Sequence, residues 1–246
     1  MTEVLYGRNA IREALRAGRR TFQRLLLSSG AQQTGTLAEI VKLAEQRNVA
    51  IDLLDRREID QRLRDINHQG VALECGEYPY VELEQTLELA ETRNQAPLLL
   101  ALDHLQDPQN VGTLLRTAEV VGVHGVIIPG RRAAEITPAV VNASSGATEH
   151  LYICVVANLV QAMENVQKAG VWVAGVEDDE RAQPIDAMDL NMPLMLVLGA
   201  EGPGLARLTR ERCDFLVRLP MVGQIASLNV SVAGSIALYT AWRSRP

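Results

Sequence analysis

The segment DPQNVGTLLRTAEVVG, residues 107–122, contains polar side chains whose types could take part in a chemical step. Asn110 lies near the start of a predicted helix, and Arg116 and Glu119 follow it on the same helix. An amide can orient a bound group, and a guanidinium can grip a phosphate with two donors. The structural alternative is that Asn110 caps the helix and Arg116 pairs with Glu119 three residues later.

Two later segments have the same character. In LVLGAEGPGL, residues 196–205, Glu201 stands inside a glycine-rich turn, where a structural turn would more often have Asn, Asp or Ser. In residues 219–239, a loop with Ser227 and Asn229 precedes an apolar helix. A plain turn and a helix cap are the structural alternatives for these two segments.

The apolar pattern predicts the elements that position these segments. After residue 97, short apolar runs alternate with helical stretches; the runs are LLLALD, GVIIP, LYICVV, VWVAGV, LMLVLG and FLVRLP. Apolar runs without polar alternation are typical of parallel strands that helices cover on both faces. We therefore predict a doubly wound α/β domain, in which ligands bind beyond the carboxyl ends of the strands.

A smaller α/β domain is predicted in front of it. An Arg-rich helix from Arg8 to Ala17 is followed by the strand-like runs FQRLLLS, AIDLLD and VALEC with helical stretches between them. Residues 76–97 are richer in Glu, Gly and Pro, which is typical of a boundary. The predicted organisation is an N-terminal domain at residues 1–75, a linker at 76–97 and a second domain at 98–246.

Charge is distributed unevenly along the chain. The net charge of −6 argues against a general polyanion binder, yet residues 1–75 carry 12 Lys and Arg against 10 Asp and Glu. The arginines near the N-terminus are candidate phosphate contacts, and a solvated helix face is the alternative. No apolar run approaches the ~18 residues of a membrane span, and the N-terminus has no signal-peptide pattern, so a cytoplasmic protein is expected. The three cysteines are far apart and predict neither a disulfide framework nor a zinc site.

Three motifs, in order, resemble those of the SpoU (TrmH) family of RNA ribose methyltransferases: NVGTLLRTAE at residues 110–119, LGAEGPG at 198–204 and PMVGQIASLNVS at 220–231. YGRNAIREAL and HQGVA further resemble the branch that methylates a guanosine ribose in 23S ribosomal RNA. The resemblance implies a catalytic domain with a trefoil knot, an N-terminal RNA-binding domain like ribosomal protein L30e, and a homodimer. It also implies S-adenosylmethionine as cofactor and 23S RNA or a large-subunit precursor as partner.

The resemblance assigns roles to individual residues. The implied catalytic residues are Asn110, Arg116, Glu201, Ser227 and Asn229. The implied cofactor-binding residues are Leu198, Gly199, Gly202, Leu219 and Leu228. The candidate RNA contacts are Arg8, Arg12, Arg20 and Arg24, and no metal site is expected. The resemblance implies that Arg116 accepts the hydroxyl proton. Because a guanidinium is a poor base, the alternative is that Arg116 holds the phosphate beside the reacting hydroxyl and lowers the pKa of that hydroxyl by its charge.

The sequence leaves three alternative functions to compare with RNA ribose methylation. A tRNA ribose methyltransferase of the same family would share the catalytic motifs and differ in what flanks them. A non-catalytic RNA-binding assembly factor would have no need of all five catalytic candidates. A nicotinamide-dependent enzyme is disfavoured because the GxGxxG fingerprint is missing.

Overall fold

The computed structural model describes residues 2–64, 66–131, 134–225 and 227–245. The strands are β1 (Thr2–Tyr6), β2 (Phe22–Ser28), β3 (Ala50–Leu54), β4 (Val71–Gly76), β5 (Leu98–Leu102), β6 (Gly125–Pro129), β7 (Ile153–Val156), β8 (Trp172–Val176), β9 (Gln183–Pro184), β10 (Leu194–Leu198) and β11 (Phe215–Arg218). The α-helices are α1 (Arg8–Ala17), α2 (Thr36–Gln46), α3 (Arg56–Arg62), α4 (Leu83–Thr92), α5 (Pro108–Val120), α6 (Pro138–Ala143), α7 (Leu159–Lys168), α8 (Arg207–Arg212) and α9 (Val230–Arg243).

These elements form two compact units. Unit 1 consists of Met1–Pro79 and Ile136–His150, and unit 2 consists of Tyr80–Glu135 and Leu151–Pro246. Among the described residues no helix is long and apolar enough to cross a membrane.

Unit 1 has a four-stranded sheet in the order β1-β4-β2-β3. β2 and β3 are parallel, whereas β4 is antiparallel to both β1 and β2. Helix α1 buries Ala10, Ile11, Ala14 and Leu15, a spacing that places one apolar stripe on the core. The small mixed α/β domain predicted at the N-terminus is confirmed.

A second stretch of chain belongs to unit 1. Helix α6 packs against β1, and the 3-10 helix Ala147–His150 packs against α1. Gly146 lies so close to α1 that a Cβ there would be 3.1 Å from the Cα of Ala10. Unit 1 is therefore built from two separate parts of the sequence. The predicted N-terminal domain, residues 1–75, does not include the second part.

Unit 2 has a seven-stranded, fully parallel sheet in the order β7-β6-β5-β10-β8-β11-β9. Every residue of the neighbouring strands β5 and β10 is buried, as expected of strands covered on both faces. Helix α9 packs on β10 and α5. The parallel sheet is confirmed, and the trefoil knot stays a prediction.

Part of the predicted linker is a helix of unit 2. Leu83, Thr86 and Ala90 of α4 are buried, and a Cβ at Gly125 of β6 would be 2.3 Å from the Cβ of Thr86. The glutamates of α4, such as Glu84, lie on its exposed face. The acidic composition of residues 76–97 thus reflects the solvent-facing side of a packed helix.

Candidate active site at the carboxyl edge of the sheet

The turn after β10 depends on a close backbone contact. A Cβ on Gly199 would lie 2.1 Å from the carbonyl carbon of Gly204, so only glycine fits at this position. Ala200 and Gly204 exchange two backbone hydrogen bonds, of 3.1 and 3.0 Å. The turn folds back on itself and exposes Glu201 at the carboxyl end of the central strand.

Two acidic residues that the sequence pattern did not single out hold this turn. The carboxylate of Glu177, directly after β8, accepts the N–H of Leu205 at 3.3 Å and pairs with Arg210, and this hydrogen bond raises the pKa of Arg210. The buried carboxylate of Asp103, directly after β5, accepts the N–H of Ala206 at 2.8 Å. Each is the first acidic residue after an apolar run, and this position is the sequence signal that could have identified it as a site residue.

Helices α5 and α9 both begin at this edge. The carboxylate of Asp107 accepts the N–H of Asn110 at 2.9 Å, so Asp107 rather than Asn110 caps α5. The side-chain carbonyl of Asn229 caps α9 and accepts the N–H of Ser231 at 2.9 Å and its hydroxyl at 2.7 Å. The structural alternative, a helix cap, is therefore correct for Asn229. It is not correct for Asn110, which lies in the first turn of α5.

The three motifs meet through side-chain hydrogen bonds. The amide nitrogen of Asn229 donates to the carbonyl oxygen of Asn110 at 2.9 Å. The amide nitrogen of Asn110 donates to the carboxylate of Glu201 at 3.2 Å. A chain of two amides therefore orients one carboxylate, although these residues are 91 and 119 positions apart in the sequence.

A cavity of about 340 Å³ lies beside this network, within the size range of small-molecule sites. The predicted cofactor residues that line it are Leu198, Gly199, Gly202, Leu219 and Leu228. Glu201 and Ser227 also line it, together with Asp178 after β8. All five cofactor candidates are brought together; Ala226, inside the third motif, lies outside the described residues.

Helix α9 approaches the cavity closely because of one glycine. A Cβ on Gly234 would lie 2.3 Å from Cδ1 of Leu198 and 2.8 Å from Cδ1 of Leu114 on α5. Thr117 of α5 and Ser235 of α9 share a hydrogen bond of 2.8 Å. Gly234 therefore lets α9 pack tightly on α5 and β10.

Arg116 is not part of this arrangement. It is exposed on α5 and is absent from the residues that line the cavity. Six residues of helix separate it from Asn110, which corresponds to a rise of about 9 Å and a turn of about 240°. Within one copy of the chain, the structure thus groups four of the five catalytic candidates.

The prediction that Arg20 contacts RNA is corrected by the structure. Its side chain is 0% exposed and lies 2.9 Å from the carboxylate of Glu149, with Glu3 as a second partner. A guanidinium enclosed by two carboxylates cannot reach a phosphate. Its partner Glu149 comes from the second stretch of unit 1, which sequence order did not reveal.

The other three candidate RNA contacts differ in their partners. Arg12 pairs with Glu13 at 2.8 Å, and Arg24 pairs with Asp52 at 2.8 Å. Arg8 has no carboxylate partner among the described residues, and it donates hydrogen bonds to the residue Gln69. Arg8 is thus the one of the four whose positive charge is not offset by a carboxylate among the described residues.

Comparison with known proteins identifies the family. The model of the SpoU rRNA methylase family matches residues 97–239, and the model for RNA 2'-O ribose methyltransferase substrate binding matches residues 4–81. YacO from Bacillus subtilis (strain 168), whose name places it with the TrmH family tRNA/rRNA methyltransferases, is 39% identical over 99% of this chain and 96% of its own length.

Solved structures share the fold. The SpoU methyltransferase AviRb from Streptomyces viridochromogenes, crystallised with AdoMet, aligns with a TM-score of 0.80 and 23% identity over 98% of this chain and 90% of its own. A TrmH/SpoU tRNA modifying enzyme from A. aeolicus aligns with a TM-score of 0.56 and 28% identity over 66% of this chain and 83% of its own. With its three motifs joined at one cavity and its whole length matched by a relative, the chain belongs to the SpoU (TrmH) family of methyltransferases.

Proposed function

We propose that this protein transfers a methyl group from S-adenosylmethionine to the ribose 2'-hydroxyl of a guanosine in 23S ribosomal RNA. Family membership supports RNA 2'-O-methyl transfer. The observation that carries the proposal is the hydrogen-bonded chain of Asn229, Asn110 and Glu201 beside a cavity of cofactor size.

The size and the lining of the cavity suit the cofactor. S-adenosylmethionine supplies an activated methyl group on a positively charged sulfur and has no phosphate. Accordingly, Glu201 and Asp178 bring negative charge to the lining, while Leu198, Leu219 and Leu228 provide apolar surface. A phosphate-binding glycine loop is not needed here, and the glycines instead allow close approach to the backbone.

The chain's own residues orient the substrate and handle its proton. The amides of Asn110 and Asn229 fix the carboxylate of Glu201, and Ser227 adds a hydroxyl to the lining. Positioning of this kind is a large part of the rate enhancement in a two-substrate reaction. Because Arg116 lies apart from the network within one copy of the chain, we assign it to the phosphate next to the reacting ribose; its positive charge favours loss of the 2'-hydroxyl proton, which passes to water.

The proposed role of Arg116 has a direct test. Arg116→Lys keeps the positive charge and should retain measurable turnover, because a lysine can still attract the phosphate. Complete loss of turnover with intact RNA binding would contradict this role.

A ribosomal target is favoured by the presence of unit 1. The tRNA modifying enzyme from A. aeolicus has no counterpart for about a third of this chain, since its alignment covers 66%. The experiment is transfer of a radiolabelled methyl group to total RNA from a strain that lacks this protein, followed by mapping of the labelled ribose. Label in a guanosine of 23S RNA is expected, whereas label in tRNA would overturn the assignment and support the alternative.

The exposed face of α9 supports the proposed homodimer. Val232, Ile236, Tyr239 and Trp242 recur on one side of the helix and are 46%, 43%, 49% and 43% exposed. Contiguous apolar surface of this kind marks interaction sites. Ile236→Glu should shift the protein from dimer to monomer in analytical ultracentrifugation, and an unchanged mass would contradict a dimer through this face.

Cofactor binding can be tested at the turn after β10. Gly199→Ala should weaken S-adenosylmethionine binding by more than about tenfold in calorimetry, because a methyl group there collides with the backbone of Gly204. Gly223→Ala is the matched control, since its Cβ would have no heavy atom within 4 Å. Equal affinities for the two variants would count against this cavity as the cofactor site.

A further inference from the structure

Unit 1 contains a second cavity, at the carboxyl ends of the parallel strands β2 and β3. Its volume is about 720 Å³, within the range of about 300–1,000 Å³ for ligand pockets. Arg8, Ser29, Gly30, Arg56 and Gln69 are among the residues that line it. Most of these residues are polar, which favours a charged or hydrogen-bonding ligand.

The lining carries an excess of positive charge that the protein does not balance. Arg8 and Arg56 have no carboxylate partner among the described residues, and Asp55 is the single acid in the lining, where it caps α3. Elsewhere in unit 1 the arginines with carboxylate partners are Arg12, Arg16, Arg20, Arg24 and Arg62. Lys42, Arg47, Arg57 and Arg64 also have no carboxylate partner among the described residues, but they do not line this cavity. At this cavity two such guanidinium groups face one space together.

A rigid turn positions the polar groups. The N–H of Gly70 donates to Nδ1 of the buried His68 at 3.1 Å, and Nε2 of His68 hydrogen-bonds to Asp60 at 2.7 Å. Gln69 has a φ of 56°, which is uncommon for a residue other than glycine. Its carbonyl accepts from Nε of Arg8 at 3.3 Å, so the arginine is held toward the cavity before a ligand arrives.

These groups fit one nucleotide. A guanidinium can bind a phosphate or stack on a base, and a glutamine amide can hydrogen-bond a base edge. Gly30 has no heavy atom within 4 Å of where a Cβ would be, which leaves the backbone open to a ligand. A base in a duplex is stacked and paired, whereas an unpaired base can be splayed into a pocket and read along its edges.

We propose that this cavity binds one unpaired nucleotide of the substrate RNA, with its phosphate at Arg8 and Arg56 and its base beside Gln69. The proposal rests on the proposed function, because it takes RNA as the substrate. It moves the RNA contact away from Arg12, Arg20 and Arg24, whose charges are already paired.

The test is fluorescence anisotropy with a labelled RNA hairpin that has an unpaired loop, titrated over a series of salt concentrations. Each phosphate contact with a single strand contributes about 0.7 to the slope of log K against log salt. The double variant Arg8→Gln, Arg56→Gln removes the contact with the one phosphate of this nucleotide and should therefore lower the slope by about 0.7. The control, Arg24→Gln with Arg62→Gln, removes the same charge from arginines paired with Asp52 and Glu74 and should leave the slope unchanged.

Arg56→Gln alone guards against a folding effect. Its guanidinium has no hydrogen bond or ion pair among the described residues, so the substitution removes no internal contact and should lower the slope by part of the amount expected of the double variant. A wild-type slope in this variant and in the double variant would overturn the proposal. An equal loss in the control would also overturn it, because the effect would then be one of general charge.

Three further outcomes separate this site from other interpretations. If guanosine monophosphate displaces the hairpin as well as unlabelled RNA does, the cavity binds a free nucleotide and the RNA assignment is overturned. If wild-type protein methylates RNA while the double variant binds it with the wild-type slope, the pocket fails and the proposed function stands. If no RNA is methylated but the slopes differ as expected, the proposed function fails and the pocket stands.

Discussion

The two largest hydrogen-bonded networks of side chains described above differ in burial and in charge. In unit 1, the fully buried Arg20 lies between the carboxylates of Glu149 and Glu3. In unit 2, the amides of Asn110 and Asn229 hold a carboxylate at the open edge of the sheet. In the buried network the charge of Arg20 is paired with carboxylates inside the protein, so its contribution is to the fold. The open network presents the carboxylate of Glu201 to a cavity, which is why we propose a chemical role for it.

The largest expected effect is on stability, from loss of Arg20. Arg20→Met leaves the buried Glu149 without its partner and should lower the free energy of unfolding by about 3–5 kcal/mol in urea denaturation. Arg24→Met removes an exposed pair and should cost about 0–1 kcal/mol. Adding Glu149→Met to Arg20→Met should recover much of the loss. Similar losses from the two single variants would remove the distinction between buried and exposed networks.

An intermediate effect is expected from acid, through another buried polar group. Burial lowers the pKa of His124 to about 4 from 6.5, and its Nδ1 accepts the N–H of Leu98 at 3.0 Å. Folding thus favours the neutral ring, so this stabilisation is complete above pH 6.5 and is lost as the pH falls toward 4. The full shift corresponds to about 3 kcal/mol.

Urea denaturation at intervals between those two pKa values measures this dependence. His124→Gln cannot bind the proton and should show a flatter loss of stability with acid. An identical slope for wild type and variant would show that His124 is not the group responsible.

The smallest effect on stability is expected in the open network. Asn110→Ala should change the free energy of unfolding by less than about 1 kcal/mol, because the group is partly exposed. It should lower kcat for methyl transfer by about ten- to a hundredfold, because Glu201 loses its orienting donor. Gln161→Ala, which removes an exposed amide from α7, is the control and should leave kcat unchanged. A large loss of stability with normal kcat in Asn110→Ala would assign this network to the fold instead.

The sequence predicted what depends on local pattern. Continuous apolar runs identified the buried strands β5 and β10, and polar residues just beyond such strands identified Glu201. Asp103 and Glu177 also follow apolar runs, but only the structure shows that they hold the turn after β10. The local pattern marks their positions but not their partners, because those partners are brought close only by tertiary contacts.

Local sequence patterns could not predict ion pairs between residues that are distant in the sequence. Arg20 and Glu149 are 129 residues apart, and neither has a sequence neighbour that signals the other. Composition alone placed Arg20 with the surface arginines. Its burial depends on where residues 136–150 pack, which is a property of the whole fold.

The two-part construction of unit 1 limits how the protein can be divided. A fragment that ends at Pro79 would lack Ile136–His150 and would leave Arg20 without its main carboxylate. Exchange of the N-terminal half between relatives would therefore have to include this second stretch of the gene. In this chain, units 1 and 2 cannot be separated by a single cut.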